Sequence, residues 1–405
     1  MSENRRTSRG GIPRLKPEAI ALLSYGFRPF FLGAAAWACA AMVLWIGVLA
    51  QGWQFADAYG PIAWHAHEFL FGYISAAVTG FLLTAIPNWT GRLPLQGRSL
   101  LMLFLLWLAG RVAMLISAKI GVVTAAIIDC VYLPTLVAVV LREIIVGKNW
   151  RNLRVVVLIG VLAFANILFQ AETLYSGAPA YGLRLGCAVI VTMIMLIGGR
   201  ITPSFTTNWL RRQGRDRLPA PVGRFDIVSI AIAVVALVAW VVAPSWPGSA
   251  ALLLLMTIAQ TARLFRWAGE RTWREPILFV LHLGYAFVPL GAFILAVSIL
   301  WPMLMPPSGA LHAWTTGAMG IMTLAVMTRA TLGHTGRDTV STPPTVVIYG
   351  AILLAALIRV AAPVLSGIYY QSLLAAAACW IVAFGAFLAV YGPMLVRPGK
   401  IPGDL

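Results

Sequence analysis

Long apolar runs alternate with short polar breaks along this chain, and the period of that alternation predicts its elements. Runs of roughly 20 apolar residues fall near 30–50, 63–87, 99–118, 120–141, 153–172, 180–200, 226–243, 248–266, 275–300, 308–328, 343–362 and 370–391. A helix rising about 1.5 Å per residue crosses a hydrocarbon core of about 30 Å in about 20 residues. Membrane strands would be shorter and would alternate apolar with polar positions, which these runs do not. The pattern predicts an all-α polytopic membrane protein with about twelve transmembrane helices. Composition agrees: 60% of the residues are hydrophobic and 11% charged, against about half and a quarter in soluble domains.

The formal net charge is +17, and its placement says what it is for. Of the 30 Lys and Arg, 26 fall before or at Arg28, in every second loop, or after the last run. The basic loops hold Arg92 and Arg98, Arg142 to Arg154, Arg200 to Arg224, Arg263 to Arg274, and Arg329 and Arg337; the intervening loops at 51–61, 173–179, 244–247, 301–307 and 363–369 hold none, and Lys119 is the exception between the third and fourth runs. Cationic loops remain cytoplasmic, so both termini are expected inside. The charge therefore reports orientation and attraction to anionic headgroups, and no nucleic-acid partner is expected. The first run lacks a small-residue cleavage site and is expected to be a retained span. The expected organisation is a basic cytoplasmic tail at 1–27, one transmembrane domain at 28–395 and a cytoplasmic tail at 396–405.

Internal similarity divides that domain. "GFRPFFLGA" from Gly26 resembles "GYAFVPLGA" from Gly284, and "TGR" ends the second run at Thr90 and the tenth at Thr335. The same offset pairs His67 with His312, and "RVA" recurs at Arg111 and Arg359. These coincidences predict three blocks of four helices, at about 25–150, 151–272 and 273–395.

Ionisable groups inside a bilayer cost several kcal/mol and are functional candidates by default. "WHAHEFLFGY", from Trp64, concentrates His65, His67 and Glu68 at the head of the second run. His67 and His312 are expected at matching depth on equivalent helices, where two neutral imidazoles suit the two faces of a haem. His65, two positions from His67, points about 200° away and is a candidate for another metal, a propionate or packing. Glu68 is a candidate proton relay or orienting partner. Arg111, Arg184 and Arg359 share the outer depth and are candidates for propionate binding, with Asp129 as a partner for one of them. His282 and His334 lie toward the other side and are candidates for a second site. Met303 and Met305 offer soft sulfur ligands, although two methionines in an apolar loop more often simply pack. Cys39, Cys130, Cys187 and Cys379 lie far apart within runs, as free thiols. No Walker A, GxGxxG, HExxH or CxxCH motif occurs, which removes support for nucleotide use, zinc hydrolysis and attached haem.

With these residues in view, "WHAHEFLFGYISAAVTGFLLTAIPNWTGR", "GGRITPSF", "HLGYAFVPLGA" and "HAWTTGAMGIMTLAVMTRATLGHTGR" resemble the signature blocks of the NnrS family. The resemblance runs from about Tyr25 to beyond the eleventh run. It implies a bacterial inner-membrane protein containing haem and copper, concerned with nitric oxide and nitrosative stress. All five histidines lie in the matching blocks. A looser resemblance is to the haem–copper oxidase and nitric oxide reductase core, whose low-spin haem ligands lie on its second and tenth helices. Here the sixth and seventh runs hold no histidine, so the copper site of that core cannot be built in the same way. The expectation is a haem b protein, with copper as a second candidate, that binds or detoxifies nitric oxide or its iron adducts, as a candidate oxidoreductase. The rival is a repeat-built transporter binding substrate or metal at the outer histidines.

Overall fold

The computed structural model describes residues 20–399; most of the expected N-terminal tail and the last six residues lie outside them. Twelve helices are long and apolar enough to cross a membrane. They are α1 (Phe27–Gln51), α2 (Pro61–Thr90), α3 (Arg98–Leu115), α4 (Val122–Val146), α5 (Trp150–Ser176) and α6 (Tyr181–Arg212), then α7 (Arg224–Val242), α8 (Pro247–Phe265), α9 (Pro276–Leu300), α10 (Pro307–His334), α11 (Pro343–Val364) and α12 (Ser366–Val396). The described residues contain no strand. Their ends follow local chemistry. Proline opens α2, α8, α9, α10 and α11, where a missing N–H costs nothing. Gly52, Gly91 and Gly177 close α1, α2 and α5 with φ of 66°, 68° and 74°, a left-handed conformation that glycine adopts without strain.

Neighbours in sequence pack side by side, and α12 returns against α1 to close the bundle. Burial separates inner from outer helices. Within their most apolar windows, α2, α6, α9 and α10 are 78%, 67%, 61% and 67% buried, against 33–44% for the other eight. The outer helices present large apolar side chains such as Val235, Ile258 and Leu354 outward, as lipid contact requires.

Three of the inner helices share a local irregularity. Each is interrupted by a π-helical segment: Glu68–Ile74 in α2, Ile194–Gly198 in α6 and Ala313–Ile321 in α10. These are the second helices of the three expected blocks. Such segments free backbone carbonyls and are found mostly at functional sites. The freed groups are met from neighbouring helices, since an unpaired carbonyl in a membrane interior is costly. Trp107 donates to Gly72 O at 2.9 Å, and Arg263 donates to Met195 O at 2.9 Å.

Two arginines assigned above to the basic ends are in fact buried. Arg263 lies within α8 and is 1% exposed, because Asp226 at the start of α7 accepts from its Nε at 2.8 Å. Arg28 donates to the carbonyls of Leu395 and Arg397 at 2.8 and 2.7 Å, tying the start of α1 to the end of α12.

Candidate functional site

Two sets of polar groups face each other across α2, at the end of the bundle opposite the basic loops. They are separated because α-helical Pro61–His67 turns residues two apart to opposite sides.

On one side is a fully buried charged cluster. His67 Nδ1 lies 2.9 Å from Glu68 Oε1, and Nε2 lies 3.0 Å from Asp129 Oδ2. Arg111 donates to Glu68 Oε2 at 2.6 Å and also to Asp129 Oδ1. Asn166 and Gln170 of α5 donate to Asp129 at 2.9 and 3.1 Å. Tyr59, in the loop before α2, donates to Gln170 Oε1 at 2.8 Å; burial pushes its phenol well above the ordinary range, so the O–H stays in place to donate. Gly72 is required here: a Cβ on it would stand 2.6 Å from Arg111 Nη1. Carboxylates only accept, yet both His67 nitrogens lie against one. One proton shared among His67, Glu68 and Asp129 satisfies both contacts and offsets the charge that Arg111 leaves uncompensated. A neutral cluster is the state that low dielectric favours.

On the other side is a sparser, apolar-walled pair. The rings of His65 and His312 have centroids 6.4 Å apart and planes within 16°. Trp45 of α1 stacks on His65 at 4.3 Å and 21°, and Phe69 braces it at 4.7 Å. His312 Nδ1 donates to Ser308 O at 2.6 Å, which leaves Nε2 as the nitrogen with a lone pair. Two atoms here are buried without a partner: His65 Nδ1 and Arg359 Nη1. Arg359 lies close enough for its charge to act on both imidazoles.

The structure thus redistributes the expected residues. His65, not His67, faces His312, so the expected pairing of His67 with His312 is not formed. Both nitrogens of His67 are committed to carboxylates, and its ring packs on Tyr59, Phe71 and Phe169. The three arginines do not act together. Arg111 is locked in the buried cluster, Arg359 sits by the histidine pair, and Arg184 donates to Val241 O at 3.0 Å over the Tyr181 ring. His282 lies 2.9 Å from Thr206 Oγ1, whose own proton goes to Thr202 O, so Nε2 donates and Nδ1 is left unpartnered. His334 ends α10 beside Tyr25 and Phe27, in surroundings different from those of His282. Met303 is 98% exposed, whereas Met305 packs partly buried against the core.

Sequence reasoning missed two partners. Asn166 and Gln170 are uncharged but are a turn apart in α5, and that spacing was the available signal. It also missed the second buried network, in which Arg263 donates to Asp226 and to Tyr285 Oη at 2.7 Å, while Tyr285 donates to Gln260 at 2.6 Å. Counting Arg263 with a loop hid it.

The two sets differ in what they can hold. Among the described residues no three His, Cys, Asp or Glu side chains form a group able to hold a metal ion. In the His67 cluster the guanidinium of Arg111 takes the place a cation would need. The His65–His312 pair does fit one. Two imidazole nitrogens each about 2 Å from a shared metal put the ring centres about 6 Å apart, as found. The backbone bond on His312 Nδ1 is the usual orienting contact of a ligand histidine, and the unpartnered Arg359 Nη1 suits an anionic substituent.

A comparison with protein-family models matches residues 21–398 to the family described as NnrS protein. A search among curated proteins finds no relative.

Proposed function

The chain belongs to the NnrS family, which links it to the response to nitric oxide, and from that premise we propose a haem b protein of the bacterial inner membrane. In this reading His65 and His312 would hold the haem iron, Arg359 would neutralise a propionate, and the protein binds or detoxifies nitric oxide or its iron adducts. The observation that carries it is the pair of nearly parallel imidazoles 6.4 Å apart, on two of the inner helices, with the lone pair of His312 Nε2 unclaimed.

Haem iron supplies affinity for nitric oxide and one-electron chemistry when bound. The protein's own residues do the rest. Trp45 and Phe69 fix the His65 ring and exclude water from it. The carbonyl of Ser308 fixes the tautomer of His312. The π-helical segment begins at Glu68, three positions beyond His65, so the helix that carries a ligand also carries the proton-holding cluster on its opposite face. His67, Glu68 and Asp129 hold one shared proton there beside Arg111, on the face of α2 turned away from the pair. Copper, the second metal implied by the family resemblance, would find two imidazole ligands at the same pair. The NnrS match gives the transporter reading no support.

The test is an absorption spectrum of the purified protein and three variants. His65→Ala and His312→Ala should each lose most of the Soret absorbance at normal expression, whereas His67→Gln should keep it. Retention of haem by both His65→Ala and His312→Ala would discard the ligand pair. A protein carrying copper but no Soret band would reassign the pair to that metal.

A further inference from the structure

At the opposite end, among the basic loops, a cavity of about 690 Å³ opens between α2, α5, α6, α9 and α10. Its walls are mostly apolar, yet Arg154, Arg200 and Arg329 all line it. None of these three forms an ion pair with a described carboxylate; those that pair with arginine take Arg92, Arg111, Arg217, Arg263 and Arg271. Arg151 and Arg154 stand close enough to Arg200 to repel it. Arg329 feels both Glu275 and Arg212 but bonds to neither, and its guanidinium carbon lies over Phe205, 4.0 Å from the ring centre. Cation–π packing of that kind holds the charge in place without neutralising it. Three like charges around one opening repel one another unless something anionic sits between them.

The floor of the cavity says what kind of anion. Phe81, Ile197, Ile201 and Val326 also line a second, wholly apolar space of roughly 80 Å³, which continues inward past Ile74, Ile194 and Met319. Those three residues belong to the π-helical segments of α2, α6 and α10. A small inorganic anion would leave this apolar depth unfilled, and a neutral apolar molecule would leave the arginines uncompensated. We propose that the cavity binds an anionic phospholipid, with its phosphate among Arg154, Arg200 and Arg329 and one acyl chain directed into the apolar continuation. Basic pockets between membrane helices on the positively charged side are suited to such headgroups, and burial of a chain adds about 0.8 kcal/mol per CH₂. The site is separate from the histidine pair and does not rest on the haem reading.

Native mass spectrometry of the delipidated protein tests this, titrating with phosphatidylglycerol against phosphatidylcholine of the same chains, oleate and inorganic phosphate. One tightly held phosphatidylglycerol, with phosphatidylcholine and inorganic phosphate at least tenfold weaker, is expected. Loss of a charge-assisted contact in Arg200→Gln or Arg329→Gln should weaken that binding about ten- to hundredfold, whereas Arg329→Lys should retain most of it. Ala85→Trp, which fills the cavity without altering charge, should abolish the tight copy and keep a normal thermal transition. Oleate binding as tightly as phosphatidylglycerol would keep the site for an amphiphilic anion and reassign its source to a free carboxylate. Equal affinity for both phospholipids, phosphate binding as tightly as phosphatidylglycerol, or unchanged binding in folded Ala85→Trp would overturn the proposal.

Discussion

At the scale of single residues, the same substitution should do opposite things at two arginines. Arg111 is 1% exposed and compensates Glu68 and Asp129. Arg111→Leu leaves two buried carboxylates with only His67 between them, and stripping one partner from a buried pair costs about 3–5 kcal/mol. Poor expression and a strongly lowered melting temperature are expected, whether or not haem is supplied. Among the described residues Arg359 has no carboxylate partner, and its Nη1 is unpaired. Arg359→Leu removes an intramembrane charge and should leave the melting temperature of the haem-free protein unchanged or raised. If Arg359 holds a propionate, haem titration should show a loss of about ten- to hundredfold, the worth of one charge-assisted bond. Equal thermal behaviour of the two variants would refute this division of roles.

At the scale of elements, the π-helical segments convert three ordinary spans into site-building ones. In α2 the segment starts one residue after His67, and its bulged backbone lets Arg111 lie against Gly72 where a side chain would otherwise stand. In α6, Gly199 receives the Arg263 guanidinium in the same manner. Helix interiors ordinarily gain about 0.5–1 kcal/mol when glycine becomes alanine. Gly160→Ala in α5, whose Cβ would meet nothing within 4 Å, should follow that rule and raise the melting temperature slightly. Gly72→Ala should instead lower it, by about 1–3 kcal/mol of overpacking, and disturb the ion pairs beside it. Thermal unfolding of the two variants in one detergent makes the comparison; a stabilised Gly72→Ala would show that the close approach has room to relax.

At the scale of the whole molecule, charge sets the orientation that both sites depend on. The histidine pair lies at the end whose loops carry no arginine and the arginine-lined cavity at the end with basic ones. By the positive-inside rule, reporters fused after residue 147 or 272 should be active in the cytoplasm, and those fused in 243–246 or at 365 on the far side. The opposite pattern would place the histidine pair toward the cytoplasm and invert the route of any ligand to it. Helix packing alone cannot choose between these orientations, since a bundle is equally compact either way up.

Hydropathy over about 20 residues was enough to determine twelve spans, because a bilayer demands length and apolarity of each one separately. The signature blocks were enough to point to the family. Span ends were less legible: α6 runs on to Arg212 through "RITPSFTTNWLRR", which is amphipathic and averages out in a hydropathy window. The sequence also flagged His65, His67, Glu68, Arg111 and His312 as costly and therefore purposeful. What it could not determine was which histidine faces which partner. His65 and His67 sit at nearly the same depth and differ only in azimuth, and azimuth has no reference until neighbouring helices are placed. Packing α3, α4 and α5 on one side of α2 supplied Arg111, Asp129, Asn166 and Gln170 to His67. Packing α1, α10 and α11 on the other left His65 with His312, Arg359 and a wall of aromatic rings.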